Sequence, residues 1–311
     1  MKKILGIGNA LVDVLVEIND ESIFQKFGLK KGGMEMISAE LKNEIHREIK
    51  GLEQIVVSGG STSNTIYGLA QLGAPVGYIG KIGQDNMGAF FKEDMEKTKV
   101  ATHLSYSKID TGIATTFISK EGERTFATYL GAASTQTPED LQAHIFSMYD
   151  MIHVEGYLIF NKDLILNICK LAKKCGLQIS MDMASYNLVE MMHPLVEELL
   201  RDYVDIIFAN GEEAFAFTGK KEREALEILS SYCPVSIVKL GAEGSLACVH
   251  GKTTIIPPVK ANCKDTTGAG DIYAAGFLYG LTNDYTMADT GALASKLGAK
   301  CVETIGARIL L

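Results

Sequence analysis

From residue 138 to 240 the chain alternates short apolar runs with longer amphipathic stretches, and this rhythm restricts its fold more than any other feature. The runs at 151–154, 179–182, 206–209 and 235–240 are continuous rather than alternating, as strands buried on both faces require. The stretches at 140–149, 164–175, 195–203 and 225–232 have the length and spacing of helices, and Gly176 stands where a C-cap belongs. Strands and helices in this order predict an α/β fold, a doubly wound and mostly parallel sheet flanked by helices. Two long segments near the end, 272–281 and 287–304, also read as helices.

The first 130 residues read differently. Residues 3–8 form a buried strand ending in glycine, and 12–18 alternate like a half-exposed strand. Residues 102–106, 113–119 and 125–130 are strand-like, with Gly122 of EGER marking a hairpin turn. They predict a small sheet attached to the α/β body, formed discontinuously by about 12–19, 33–38 and 102–130, within one domain spanning 1–311. Such a sheet needs its apolar face covered, by a ligand cleft or by a second subunit, so monomer and homodimer are both open.

Charge excludes some partners. The net charge is −8, and the basic residues are scattered, with short pairs such as Lys30–Lys31, Lys173–Lys174 and Lys220–Lys221. No basic stripe faces a nucleic acid. The six cysteines contain no C-x-x-C pair and read as small buried hydrophobes in a reducing cytoplasm. Asn9 and Asp13 interrupt the apolar N-terminus, and no run reaches the ~18 apolar residues of a membrane span, so a soluble cytoplasmic protein without membrane partners is expected.

Four motifs carry chemistry. The strongest is DTTGAGD at 265–271, where Gly268, Ala269 and Gly270 lead into a helix. Small residues there let backbone N–H groups and the positive helix end gather phosphate charge, with Asp271 on the first turn as a proton acceptor. Tight packing with Asp271 as a mere cap is the plainer alternative. In SGGSTSNT at 58–65, Gly59 and Gly60 precede a helix that carries Asn64, whose amide suits a sugar diol. NGEE places Asn210 and Glu213 at a strand end, suited to holding water around Mg²⁺ or to forming a capping box. KLGAEGS sets Lys239, Gly241 and Gly244 in a turn that faces a nucleotide or simply closes a hairpin. Asp13 in GNALVD and Arg124 in GERT are weaker candidates, for ligand hydroxyls and for a lid cation. GIGNAL has Leu11 where a dinucleotide fingerprint needs glycine, and neither a P-loop nor a G-x-S-x-G elbow exists.

Together, in this order, the motifs resemble those of the ribokinase-like, or phosphofructokinase-B type, carbohydrate and nucleoside kinases, over essentially the whole chain. GNALVD, GERTFATYLGA and Gly156–Tyr157 look most like the adenosine kinase branch. The resemblance implies an ATP-dependent kinase for a primary hydroxyl, foremost adenosine 5′-OH, with a sugar kinase for ribose, fructose or a related furanose as an alternative. A catalytically silent binding protein on the same fold is a further alternative. It implies Asp271 as base, with Gly268, Ala269 and Gly270 as the anion hole and Arg124 approaching the phosphoryl group from the lid. It implies substrate contacts at Asn9, Asp13, Gly59, Gly60 and Asn64, with Tyr157 and Tyr186 around a base. ATP and Mg²⁺ would meet Asn210, Glu213, Lys239, Gly241, Gly244 and, near the adenine, Ala299, with K⁺ as a further candidate. The absence of Trp and the presence of Met34 and Met36 in a lid segment depart from what the branch leads one to expect.

Overall fold

The structure is a computed structural model describing residues 1–120 and 123–309. Its strands in chain order begin with β1 (Ile4–Ile7), β2 (Leu11–Glu17), β3 (Met34–Met36), β4 (Gln54–Gly59), β5 (Val76–Gly83), β6 (Ala101–Ser107) and β7 (Gly112–Ile118). They continue with β8 (Arg124–Tyr129), β9 (Met151–Val154), β10 (Gln178–Asp182), β11 (Ile206–Asn210), β12 (Val235–Lys239), β13 (Ser245–Val249) and β14 (Lys252–Ile256).

The large sheet runs β14-β13-β12-β11-β10-β9-β1-β5-β6, parallel except for the hairpins β12–β13 and β13–β14. Its central strands divide their side chains between two cores. Ile4, Ile206 and Phe208 face the helices Ser61–Gln71 and Ala269–Thr282, while Leu5, Ile7, Ile207 and Ala209 face Lys162–Lys174, His193–Asp202 and Glu222–Tyr232. Strands buried on both faces explain the continuous apolar runs. The helix Lys162–Lys174 shows the complementary logic. Leu164, Ile165, Ile168, Cys169 and Ala172 share one buried stripe, and Asn161 caps the start by accepting from Leu164 N at 3.1 Å. Each such fully buried aliphatic side chain stabilises the fold by ~1.5–3 kcal/mol.

The small sheet runs β3-β8-β7-β2-β4. Four expectations change here. The strand β6 pairs in parallel with β5 at the edge of the large sheet, so residues 102–107 are not part of the small one. Its place is taken by β4, which pairs antiparallel with β2. The strand β2 is not half-exposed, because its polar-side positions are covered too; Asp13 is partly buried and Glu17 exposed. Residues 140–149 do not form one helix: a single turn at Pro138–Asp140 ends where Leu141 and Gln142 extend, and only Ala143–Phe146 is helical. The 3₁₀ turn is a capping box closed by Asp140, which Lys81 also holds at 2.8 Å. The turn expected at Gly122 lies outside the described residues; the flanking strands β7 and β8 pair antiparallel. Of the cysteines, Cys263 is exposed and Cys175 half-buried, whereas the other four are buried. No helix among the described residues is long and apolar enough to cross a membrane.

Candidate active site

The parallel strands of the large sheet end in polar residues on one edge. Asn9 follows β1, Glu155 follows β9, and Asp182, Asn210 and Lys239 are the last residues of β10, β11 and β12. Ligands of open α/β sheets bind outside this carboxyl edge. Two helices point their N-termini at the same place. Ser61–Gln71 and Ala269–Thr282 cross closely, since Gly68 leaves room for Ala275 and Ile272.

At the crossing, Asp271 accepts from Ser61 Oγ at 2.7 Å and from Asn64 Nδ2 at 2.9 Å. It therefore orients toward the other motif instead of capping its own helix. Burial pushes its carboxyl up to about 6, against the hydrogen bond from Asn64, which lowers it; the nearby Asp182 charge adds to the rise. Asn64 Oδ1 is buried without a partner among the described residues, leaving an acceptor for a ligand hydroxyl. Gly268 caps the helix with φ 73°, and a Cβ there would stand 2.1 Å from that of Ala307. Ala269 N donates to Thr266 O at 3.2 Å, so it is not a free donor of the anion hole. Gly270 and Asp271 lie in the first turn, where N–H groups have no partner within the helix. Beside them stands Lys239: a Cβ on Gly270 would lie 3.0 Å from its Nζ. Lys239 Nζ donates to Asp182 Oδ2 at 2.8 Å. Burial disfavours the charge of both, yet the pair overrides it, holding the lysine above and the aspartate below their ordinary values.

A cavity of about 590 Å³ opens onto Asp271, within the ~300–1,000 Å³ of small-molecule sites. Asn9, Asp13, Gly60, Ser61, Asn64, Glu155 and Tyr157 line it on the polar side, and Leu11, Met34, Met36, Phe126, Leu130 and Leu158 on the apolar side. Gly60 must be glycine: its φ is 93°, and a Cβ would fall 2.2 Å from Asn9 O. Gly59 does not line the cavity but makes room for the Asp13 carboxylate, which a Cβ there would overlap. Burial raises Asp13 to about 7, opposed by Arg308.

The pfkB family of carbohydrate kinases matches residues 26–311. This chain belongs to that family. The kinase is 30% identical over 247 residues to an uncharacterized sugar kinase of Archaeoglobus fulgidus, covering 78% of this chain and 96% of the relative. It is 26% identical to the adenosine kinase of Saccharomyces cerevisiae over 96% of this chain and 94% of that one. Two solved structures cover all of it and 96% of their own chains: adenosine kinase from Sinorhizobium meliloti, with 31% identity and TM-score 0.89, and a probable sugar kinase from Rhizobium etli, with 28% and 0.90. The kinase is an ATP-dependent phosphotransferase of nucleoside or sugar type.

A second hollow of the kinase, about 730 Å³, is lined by Asn210, Lys239, Gly241, Phe215 and Tyr186 among others. Tyr186 thus lies in this hollow and not with Tyr157 in the Asp271 cavity. Gly244 closes the β12–β13 hairpin, and Ala299 lies on the helix Met287–Val302, lining neither space. Asn210 and Glu213 form a capping box: Asn210 Oδ1 accepts from Glu213 N, while Glu213 accepts from Asn210 N and Nδ2 at 2.8 and 2.7 Å. Burial raises the Glu213 carboxyl, and Asp182 adds to it. Among the described residues no group of three or more His, Cys, Asp or Glu could hold a metal ion directly. Arg124 is not an exposed tip residue. Its Nε lies 2.7 Å from Asp265 Oδ1, its side chain is 9% exposed, and Nη1 is buried with no partner among the described residues.

Two site residues, Glu155 and Arg308, carry no sequence signal, and Asp265 of DTTGAGD has a role its motif did not announce. Glu155 accepts from Asn9 Nδ2 at 2.5 Å and Thr62 N at 3.3 Å, tying β1 to the Gly60 turn. Arg308 donates to Ser58 O and Ser63 Oγ at 2.6 Å each and stacks over Tyr67. Asp265 accepts from Thr267 N and Gly306 N, fixing the loop before the helix.

Proposed function

We propose that this kinase transfers the γ-phosphoryl group of ATP to the 5′-hydroxyl of a nucleoside, adenosine foremost, with Asp271 as general base. One observation carries the reading: a half-buried carboxylate in a ligand-sized cavity adjoins first-turn N–H groups and the Lys239 ammonium. In the proposed step the alcohol oxygen bonds to the γ-phosphorus, the bond to the bridging oxygen breaks with its electron pair leaving on ADP, and the alcohol proton passes to Asp271. Asn64 and Ser61 aim the carboxylate, and the charge of the phosphoryl oxygens collects at Gly270, Asp271 N–H and Lys239. Arg124 lines neither hollow, and its tie to Asp265 fits a role in holding the loop before the helix.

Mg²⁺ supplies neutralisation of the ATP phosphates when bound. Asn210 and Glu213 hold each other, which fits contact through metal-bound water and not direct ligation. Asp13 and Asn64 fit the ribose hydroxyls, and the apolar lining with Tyr157 fits a planar base. The sugar kinases among the relatives keep ribose and fructose as the second reading.

The test is ADP release from ATP with Mg²⁺, with and without K⁺, over nucleosides, ribose and fructose. Adenosine should give the highest kcat/KM. Asp271→Asn should lower kcat by ~10²–10⁴ while ATP still binds, as loss of a positioned base implies. Turnover near the wild-type rate in that variant would refute the assignment of the base; a preference for fructose or ribose would refute the nucleoside.

A further inference from the structure

One buried polar side chain in the cavity has a head group with no hydrogen-bond partner among the described residues. Gln136 is 1% exposed and lines the cavity, yet neither its Oε1 nor its Nε2 has a hydrogen-bond partner among the described residues. An amide buried in this state is destabilising unless a ligand satisfies it. Its backbone is firmly held: N donates to Ala133 O at 3.2 Å, and O accepts from Asn161 Nδ2 at 3.2 Å. The nearby polar side chains are committed elsewhere. Ser134 Oγ donates to Gly131 O, and Asn161 Oδ1 accepts from Leu164 N. The cavity lining also includes the apolar Leu130, Ala133 and Leu158, and the charged Lys162 and Asp163. The head group therefore stands at the cavity wall on a held backbone, with no partner among the described residues.

A carboxamide presents an acceptor and a donor side by side. Its complement is an edge on which an N–H adjoins a ring nitrogen or carbonyl, which a nucleobase has and a bare furanose lacks. We propose that Gln136 is a specificity-determining residue that reads the hydrogen-bonding edge of the base, and that the edge it fits is the amino group and adjoining ring nitrogen of a 6-aminopurine. The inference rests on the nucleoside reading of the same cavity and adds the group that selects the base.

The experiment compares wild type and Gln136→Leu by calorimetric binding without ATP and by steady-state kinetics. The probes are adenosine, purine riboside, which lacks the 6-amino group, and ribose. Wild type should bind adenosine more tightly than purine riboside. The leucine variant should lose ~10–100-fold in adenosine affinity, as expected when a buried polar partner is removed. Its preference for adenosine over purine riboside should vanish, with kcat little changed and any activity on ribose unaltered. Equal weakening of adenosine and purine riboside, or a matching loss on ribose together with a lowered melting temperature, assigns Gln136 a structural role and overturns the proposal. So does a wild type that binds no nucleoside. A wild type that binds adenosine with the expected Gln136 dependence but releases no ADP overturns the proposed transfer alone.

Discussion

Four carboxyls near the carboxyl edge are raised by burial, and each titrates where it can be read. With Asp271 at about 6 in the ligand-free protein, the base is competent above that pH, so kcat/KM should fall tenfold per unit on the acid side of 6. Asp13, at about 7, is charged only above neutrality. If ribose hydroxyls donate to it, KM for the nucleoside should rise as pH falls below 7, and Asp13→Asn should remove that dependence while leaving the limb that Asp271 sets. A pH series of initial rates separates the two groups. Lys239 offers a different measurement. Lys239→Met leaves Asp182 without its partner in a site where both side chains are at most 15% exposed. Loss of one member of such a pair costs ~3 kcal/mol or more, which urea unfolding should register.

At the scale of elements, the capping box explains why NGEE admits two readings from its letters. Asn210 and Glu213 form the helix start, and any service to ATP must come through what the box leaves open. Asn210→Ala should cost about 1 kcal/mol in unfolding free energy by loss of the cap, with a larger effect on KM for ATP than on KM for the nucleoside. The alternating units after residue 150 were legible because each strand is buried on both faces and each helix shows one apolar stripe. The strand β6 was misplaced because its sheet is set by register with Gly77–Gly83, a long-range pairing that periodicity does not encode. The strand β4 escaped notice because its end merges into the Gly59–Gly60 turn, where chemistry and not alternation chooses the residues. Asp271 and Asn64 stood out because glycines flank them at fixed spacing. Glu155 and Arg308 are single polar residues whose partners are remote in the chain, by 146 residues for Glu155 and Asn9, and the Gln136 head group has no partner among the described residues, so no local pattern announces them.

Taken whole, the molecule concentrates uncompensated acidity at its ligand edge. Asp13 and Glu155 at about 7 and Asp271 at about 6 all bind protons in the folded chain at pH values where the unfolded chain has released them. Between ~4 and about 7 the folded state therefore holds more protons, and stability falls as pH rises through that window. His153, pushed down to about 4 by burial, and His46 and His103, also lowered by burial, act in the opposite sense, but the raised carboxyls, Glu213 among them, outnumber them. Thermal melting of the ligand-free chain should accordingly be higher at pH 5.5 than at pH 7.5. The last described residues have a wider consequence. Gly306 holds Asp265, Ala307 fills the space above Gly268, and Arg308 clasps Ser58 and Ser63, so this tail staples the two glycine turns to each other. During synthesis every signature residue is made before the staple, and a product cut short at residue 305 would carry the full set of signatures yet leave the two turns unfastened.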